Sequence, residues 1–182
     1  MFRDIETFLR YFEGVNKRAM RDIAALPAAA DGWTPPAGEG EKAWGINQLI
    51  GHMCGSRLYF ASAYSGTGWV SPRPPDVSSR DRWVPALQSS FEAFKAKLLD
   101  TPADWLDRRI EMIDSPGVTL PGWRILMMMM EHDIHHRSQI DTYAGLNGWD
   151  PPQIYNRSAE TIGSLQDAQR AKYGVSGPSN PL

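Results

Sequence analysis

The stretch that begins near Thr119–Gly122 and ends near Leu146 reads as one long helix. Asn147-Gly148 supplies its left-handed stop, and Pro151-Pro152 bars continuation. Its centre, Glu131–Tyr143, reads Glu-His-Asp-Ile-His-His-Arg-Ser-Gln-Ile-Asp-Thr-Tyr and holds three of the chain's four histidines. Residues four apart on a helix lie one above the other, so His132 and His136 share a face. His135 is the rival, because three-residue spacing also pairs it with His132. His136 is preferred: His132 and His136 continue the line from Met128 or Met129 to Ile140 and Tyr143. The fourth histidine, His52, lies in another apolar helical pattern far upstream. A helix pair that sets His52 opposite His132 and His136 makes a three-nitrogen site.

The rest of the chain supplies the partners for such a helix. Ile5, Phe8, Leu9, Phe12, Val15, Ala19, Ile23 and Leu26 recur at three-and-four spacing and predict a helix that Pro27 ends. Residues 27–42 are rich in proline and glycine and read as a loop. A second helix runs from about Trp44 to Tyr64, with Ile46, Leu49, Ile50, Met53, Tyr59 and Phe60 as its core stripe. Gly51 and Gly55 flank His52 there and leave room for either a neighbouring helix or a ligand. After a Pro/Gly/Ser-rich loop over 65–79, a third helix runs from Ser79 or Asp81 to Leu99, with Pro85 tolerated in its first turn. A short helix through Leu106 and a two-strand excursion over Arg109–Leu120 precede the long histidine-bearing helix. A polar fifth helix is predicted over about Arg157–Tyr173. The pattern predicts an all-α fold, a four-helix bundle with a short extra C-terminal helix. A single domain is expected over 1–174, and a flexible tail over 175–182.

Composition narrows function by exclusion. With 182 residues, 22% of them charged, and a formal net charge of −2, the chain carries no electrostatic footprint for nucleic acid or anionic lipid. One cysteine, Cys54, excludes an intrachain disulfide and cysteine-pair zinc fingers, and it reads as a small buried hydrophobe. Acids in the first six residues argue against a secretory signal, and no segment approaches the ~18 apolar residues of a membrane span. A cytoplasmic protein is expected. The run Met127–Met130 covers every helix face and fills core space rather than binding copper. Trp44, Tyr59, Trp123 and Tyr143 are read as core or as pocket walls.

Three neutral imidazoles suit zinc and other late first-row divalent ions, and leave a coordination place open. Such an ion makes hydroxide from water, or thiolate from a thiol, near neutral pH. Ligating histidines donate their other ring proton to a fixed acceptor, for which Glu131, Asp133 and Gln139 are the candidates. Arg137 is expected to pair with Asp133 four residues earlier, the other reading being that it holds an anionic substrate group. No carboxylate in the motif stands out as a general base, which tilts the reading toward thiol chemistry over hydrolysis.

His132-x-x-x-His136-Arg137-Ser138-Gln139, followed by Tyr143, Gly148, Pro151-Pro152 and Tyr155, resembles the DinB/YfiT-like superfamily of four-helix bundles. Ile46-x-x-Leu49-Ile50-x-His52 matches that pattern in an earlier helix. Ser138 stands where the family usually has glycine. The resemblance spans roughly 1–157 and implies His52, His132 and His136 as ligands of a divalent metal such as zinc or nickel. It further implies a metal-dependent hydrolase or a thiol S-transferase acting on a small-molecule substrate, with a low-molecular-weight thiol as co-substrate. The alternative is a non-catalytic bundle with a structural or vestigial metal site. A homodimer is the expected assembly under either reading.

Overall fold

The computed structural model describes residues 2–73 and 75–174; the expected tail over 175–182 lies outside them. Two compact units divide the chain, Met1–Pro151 and Pro152–Leu182. The first contains helices α1 (Ile5–Ala25), α2 (Ile46–Tyr64), α3 (Trp83–Leu99) and α4 (Gly122–Leu146), with strands β1 (Arg109–Met112) and β2 (Ser115–Pro121) between α3 and α4. The second contains α5 (Ala159–Tyr173), which Ser158 caps at its start and Gly174, at φ 61°, ends in the left-handed conformation.

Local chemistry sets the helix ends close to where the pattern predicts them. Asp4 Oδ1 accepts the Thr7 N–H at 2.6 Å and starts α1. Gln48 reaches back to the Gly45 N–H at 2.9 Å and starts α2. The third helix begins at Trp83, later than predicted, because Arg80–Arg82 winds as a tighter 3-10 turn. Arg80 itself donates to the carbonyls of Leu26 (2.8 Å) and Ala24 (2.9 Å), satisfying the open end of α1. The predicted two-strand excursion is an antiparallel hairpin with a bulge between Glu111 and Met112.

The core forms two apolar clusters stacked along the bundle. One joins Phe8 and Phe12 of α1, Phe91 and Phe94 of α3, and Ile125 and Met129 of α4 to the end of α2. The other joins Ile23, Ile46, Leu49, Met53, Trp83, Leu87 and Ile140. The start of α1 and of α4 thus lie in the first cluster, and the start of α2 and of α3 in the second. The helices run up, down, down, up. Parallel α2 and α3 require a crossover that returns along the length of α2, about 28 Å at 1.5 Å per residue. The Pro/Gly/Ser-rich loop after α2 is that crossover.

Each of α1–α4 also buries polar side chains, among them Asn16, Arg57, Ser90 and Asp133. Arg57 donates from Nε and Nη2 to both Asp133 carboxylate oxygens at 2.9 and 3.1 Å. Its Nη1 donates to the Leu87 carbonyl at 2.8 Å and to Ser90 Oγ at 3.1 Å. One guanidinium therefore ties α2 to α3 and α4 at the level where the histidines sit. This corrects the expected Asp133–Arg137 pair: Arg57 takes both oxygens of Asp133, and Arg137 Nε faces Asp141 Oδ2 at 3.9 Å instead.

Candidate metal centre

His52 projects from the middle of α2, and His132 and His136 project from successive turns of α4. His132 Nε2 lies 2.9 Å from His52 Nε2 and 3.2 Å from His136 Nε2. Two ligands on a tetrahedral ion, each ~2.1 Å from it, are roughly 3.4 Å apart, so the three nitrogens occupy nearly the spacing a single ion imposes. His135 does not join them. It stands exposed, with Nε2 3.4 Å from Glu41 Oε1.

The protonation chemistry fits a cation. Burial, followed by repulsion from His136 and His52, pushes the His132 imidazole down to about 3. Burial also lowers His52 and His136, against the raising influence of Glu41. All three rings are therefore neutral at physiological pH, which is the form that ligates. Gln139 Oε1 lies 3.2 Å from His136 Nδ1, accepts that ring proton, and leaves the Nε2 lone pair aimed at the shared point. His132 Nε2 faces two nitrogens, and one proton cannot serve both. A metal ion satisfies all three lone pairs at once.

Of the three predicted acceptors, Gln139 is the one in place. Its amide also donates to the Glu41 carbonyl at 3.1 Å and to Tyr143 Oη at 3.0 Å, while Tyr143 donates to the Lys42 carbonyl at 3.2 Å. These bonds pin the short turn Gly40–Ala43 across α4. That turn delivers Trp44, whose ring stands 4.8 Å from His52 and 6.3 Å from His136. Asp133 is committed to Arg57, and Glu131 pairs with Arg124 at 2.9 Å.

A cavity of about 750 Å³ opens beside the histidines. His52 and His132 lie in its wall, as do Trp44 and Tyr59; Tyr143 is instead a core residue of the second cluster. Gly51 and Gly55 both line it, and Gly51 also lets Val77 of the crossover pack closely. The crossover closes the far side with Ser71, Pro75, Val77 and Ser78. Cys54 is fully buried, and burial pushes its thiol up, so it is a packing residue. Glu41 escaped the sequence reading because it lies in a loop, with no periodicity to mark it; His135 and His136 form a second possible ligand group with it.

A DinB family model matches residues 1–169. The chain belongs to the DinB family. No curated protein matches it. Two crystal structures of DinB-like proteins share the DinB fold seen here. One, from Bacillus cereus, has a TM-score of 0.65 and 16% identity, covering 84% of this chain and 99% of its own. The other, YjoA from Bacillus subtilis, has a TM-score of 0.61 and 19% identity, covering 81% of this chain and 96% of its own. No helix among the described residues of this DinB protein is long and apolar enough to cross a membrane.

Proposed function

We propose that this DinB-family protein is a metal-dependent enzyme, with His52, His132 and His136 as the ligands and a small-molecule substrate in the adjoining cavity. The observation that carries this reading is the convergence of three Nε2 atoms, with His52 and His132 in the wall of a substrate-sized space. His52, His132 and His136 would hold a zinc or nickel ion, which would supply an open place that makes a thiol or a water more acidic. A structural ion is enclosed by four protein ligands instead.

The chain's own groups orient and shield. Gln139 fixes the His136 tautomer, and Trp44 covers the rings from the loop side. Ser56 Oγ, one turn on along α2, lies 3.4 Å from His52 Nε2. No carboxylate lines the cavity among the described residues. A water nucleophile benefits from such a base, whereas a metal-activated thiol does without one, so thiol transfer is the favoured chemistry.

The test is turnover of a panel of electrophiles, with and without small thiols, by chelator-treated and zinc- or nickel-reloaded protein. Thiol-dependent turnover restored by the ion and abolished in His136→Ala supports the reading. Turnover indifferent to chelation and to that substitution overturns it.

A further inference from the structure

The walls of the cavity carry a property that the metal reading does not require. Among its described lining residues there is no lysine, arginine, aspartate or glutamate. Its titratable members are two histidines and Tyr59, so no lining side chain carries a permanent charge. Several of its polar groups are already engaged. Asn47 donates to the Ser78 carbonyl at 3.1 Å and accepts the Gly32 N–H at 3.3 Å, which holds the crossover to the start of α2. Gln48 serves the Gly45 N–H, and Ser71 donates to the Pro72 carbonyl. Asp76 of the crossover and Arg82 pair with each other. Arg137, the one candidate anion-holder, is buried against Asp141 and does not line the cavity. Trp44, Tyr59, Phe60 and Val77 supply the main apolar surface for a ligand.

We propose that the cavity selects a small, largely apolar molecule that bears no charge outside the single group reaching His52 and His132. An ionised group placed anywhere else in this space loses water and finds no counter-charge, a cost that shape complementarity does not offset. A thiol co-substrate with several ionised groups is thereby disfavoured against one with an apolar body. The proposal rests on the cavity being the substrate site, and it adds what that site admits. The crossover is the selecting wall. Gly51 makes its close seat possible, since a Cβ there would stand 3.1 Å from Val77 Cγ2.

The experiment compares two fluorescent probes with one ring skeleton, neutral N-phenyl-1-naphthylamine and its anionic analogue 8-anilinonaphthalene-1-sulfonate. Each is titrated into the full-length protein after chelator treatment, with metal uptake measured separately on the same preparation. The neutral probe is expected to bind more than about tenfold tighter. Val77→Lys on the crossover, and Tyr59→Arg on α2 as a second variant, are each expected to narrow that ratio to less than about threefold by adding a cation to the wall. Equal or tighter binding of the sulfonate by the wild type, binding of neither probe, or a ratio unmoved in both folded variants overturns the proposal. A protein that takes up no metal yet shows the preference and its shift contradicts the metal reading alone. A protein that takes up metal but prefers the sulfonate contradicts the selectivity alone.

Discussion

Arg57 and Asp133 form a bidentate ion pair with both side chains withdrawn from solvent, five residues beyond His52 on α2 and immediately after His132 on α4. The pair fixes the register in which the two histidine-bearing helices meet. A buried pair is costly to break, because the surviving partner is left as an uncompensated charge. Arg57→Ala or Asp133→Ala is expected to lower unfolding free energy by about 3–5 kcal/mol in denaturant titrations. The double replacement Arg57→Met with Asp133→Leu is expected to recover most of that loss, since no charge stays buried. Single variants as stable as wild type would remove the pair from the account.

Gln139 accepts the His136 Nδ1–H and donates to two other groups of the loop-to-α4 network, the Glu41 carbonyl and Tyr143 Oη. Gln139→Leu keeps the side chain's bulk but removes the acceptor. Metal affinity is expected to fall about 10–100-fold. Competition with a chromophoric chelator reads this directly, and unchanged affinity contradicts the assigned role.

The histidines also set an acid limit. His132 titrates near 3 in the folded protein against 6.5 ordinarily, and His52 and His136 are lowered in the same direction. Below about pH 6.5 the unfolded chain binds protons that the metal-free folded protein refuses. Stability is therefore fully present above 6.5 and falls as pH drops toward 3, by at most about 1.4 kcal/mol per pH unit for each such proton. Thermal melts of chelated protein at pH 7, 6 and 5 should decline more steeply for wild type than for His132→Gln, a comparison that cancels the carboxylates. Parallel curves refute the assignment.

How much of this was open to reading from sequence depends on whether a contact is local. His132 and His136 were legible because four-residue spacing is itself a geometric statement, and His52 because its helix carries an apolar stripe around it. The up-down-down-up order was not legible, since nothing in a helical stripe states which neighbour it faces. Arg137 shows why spacing misleads: Asp133 sits four residues earlier, the right distance for a surface pair, yet Arg57 on another helix claims both its oxygens. Glu41 comes from a loop without periodicity, and the bonds from Gln139 and Tyr143 to the Glu41 and Lys42 carbonyls hold that turn at the site.

One glycine tests the junction that starts α4. A Cβ on Gly122 would stand 2.2 Å from the Trp105 carbonyl oxygen and 2.9 Å from Tyr64 Cε2, and backbone cannot yield as a side chain can. Gly122→Ala is expected to destabilise the protein by about 1–3 kcal/mol or more in urea titrations. A neutral effect means that this junction packs less closely than described.

The most direct test of the central claim is the divalent-metal stoichiometry of the purified protein, measured by elemental analysis after zinc or nickel loading and gel filtration. Wild type and single His52→Ala, His132→Ala, His136→Ala and His135→Ala variants are compared. The account predicts about one ion per chain in wild type and in His135→Ala, with loss of the ion in each of the other three. Loss in His135→Ala with retention in His52→Ala, or no ion in the wild type, would contradict it.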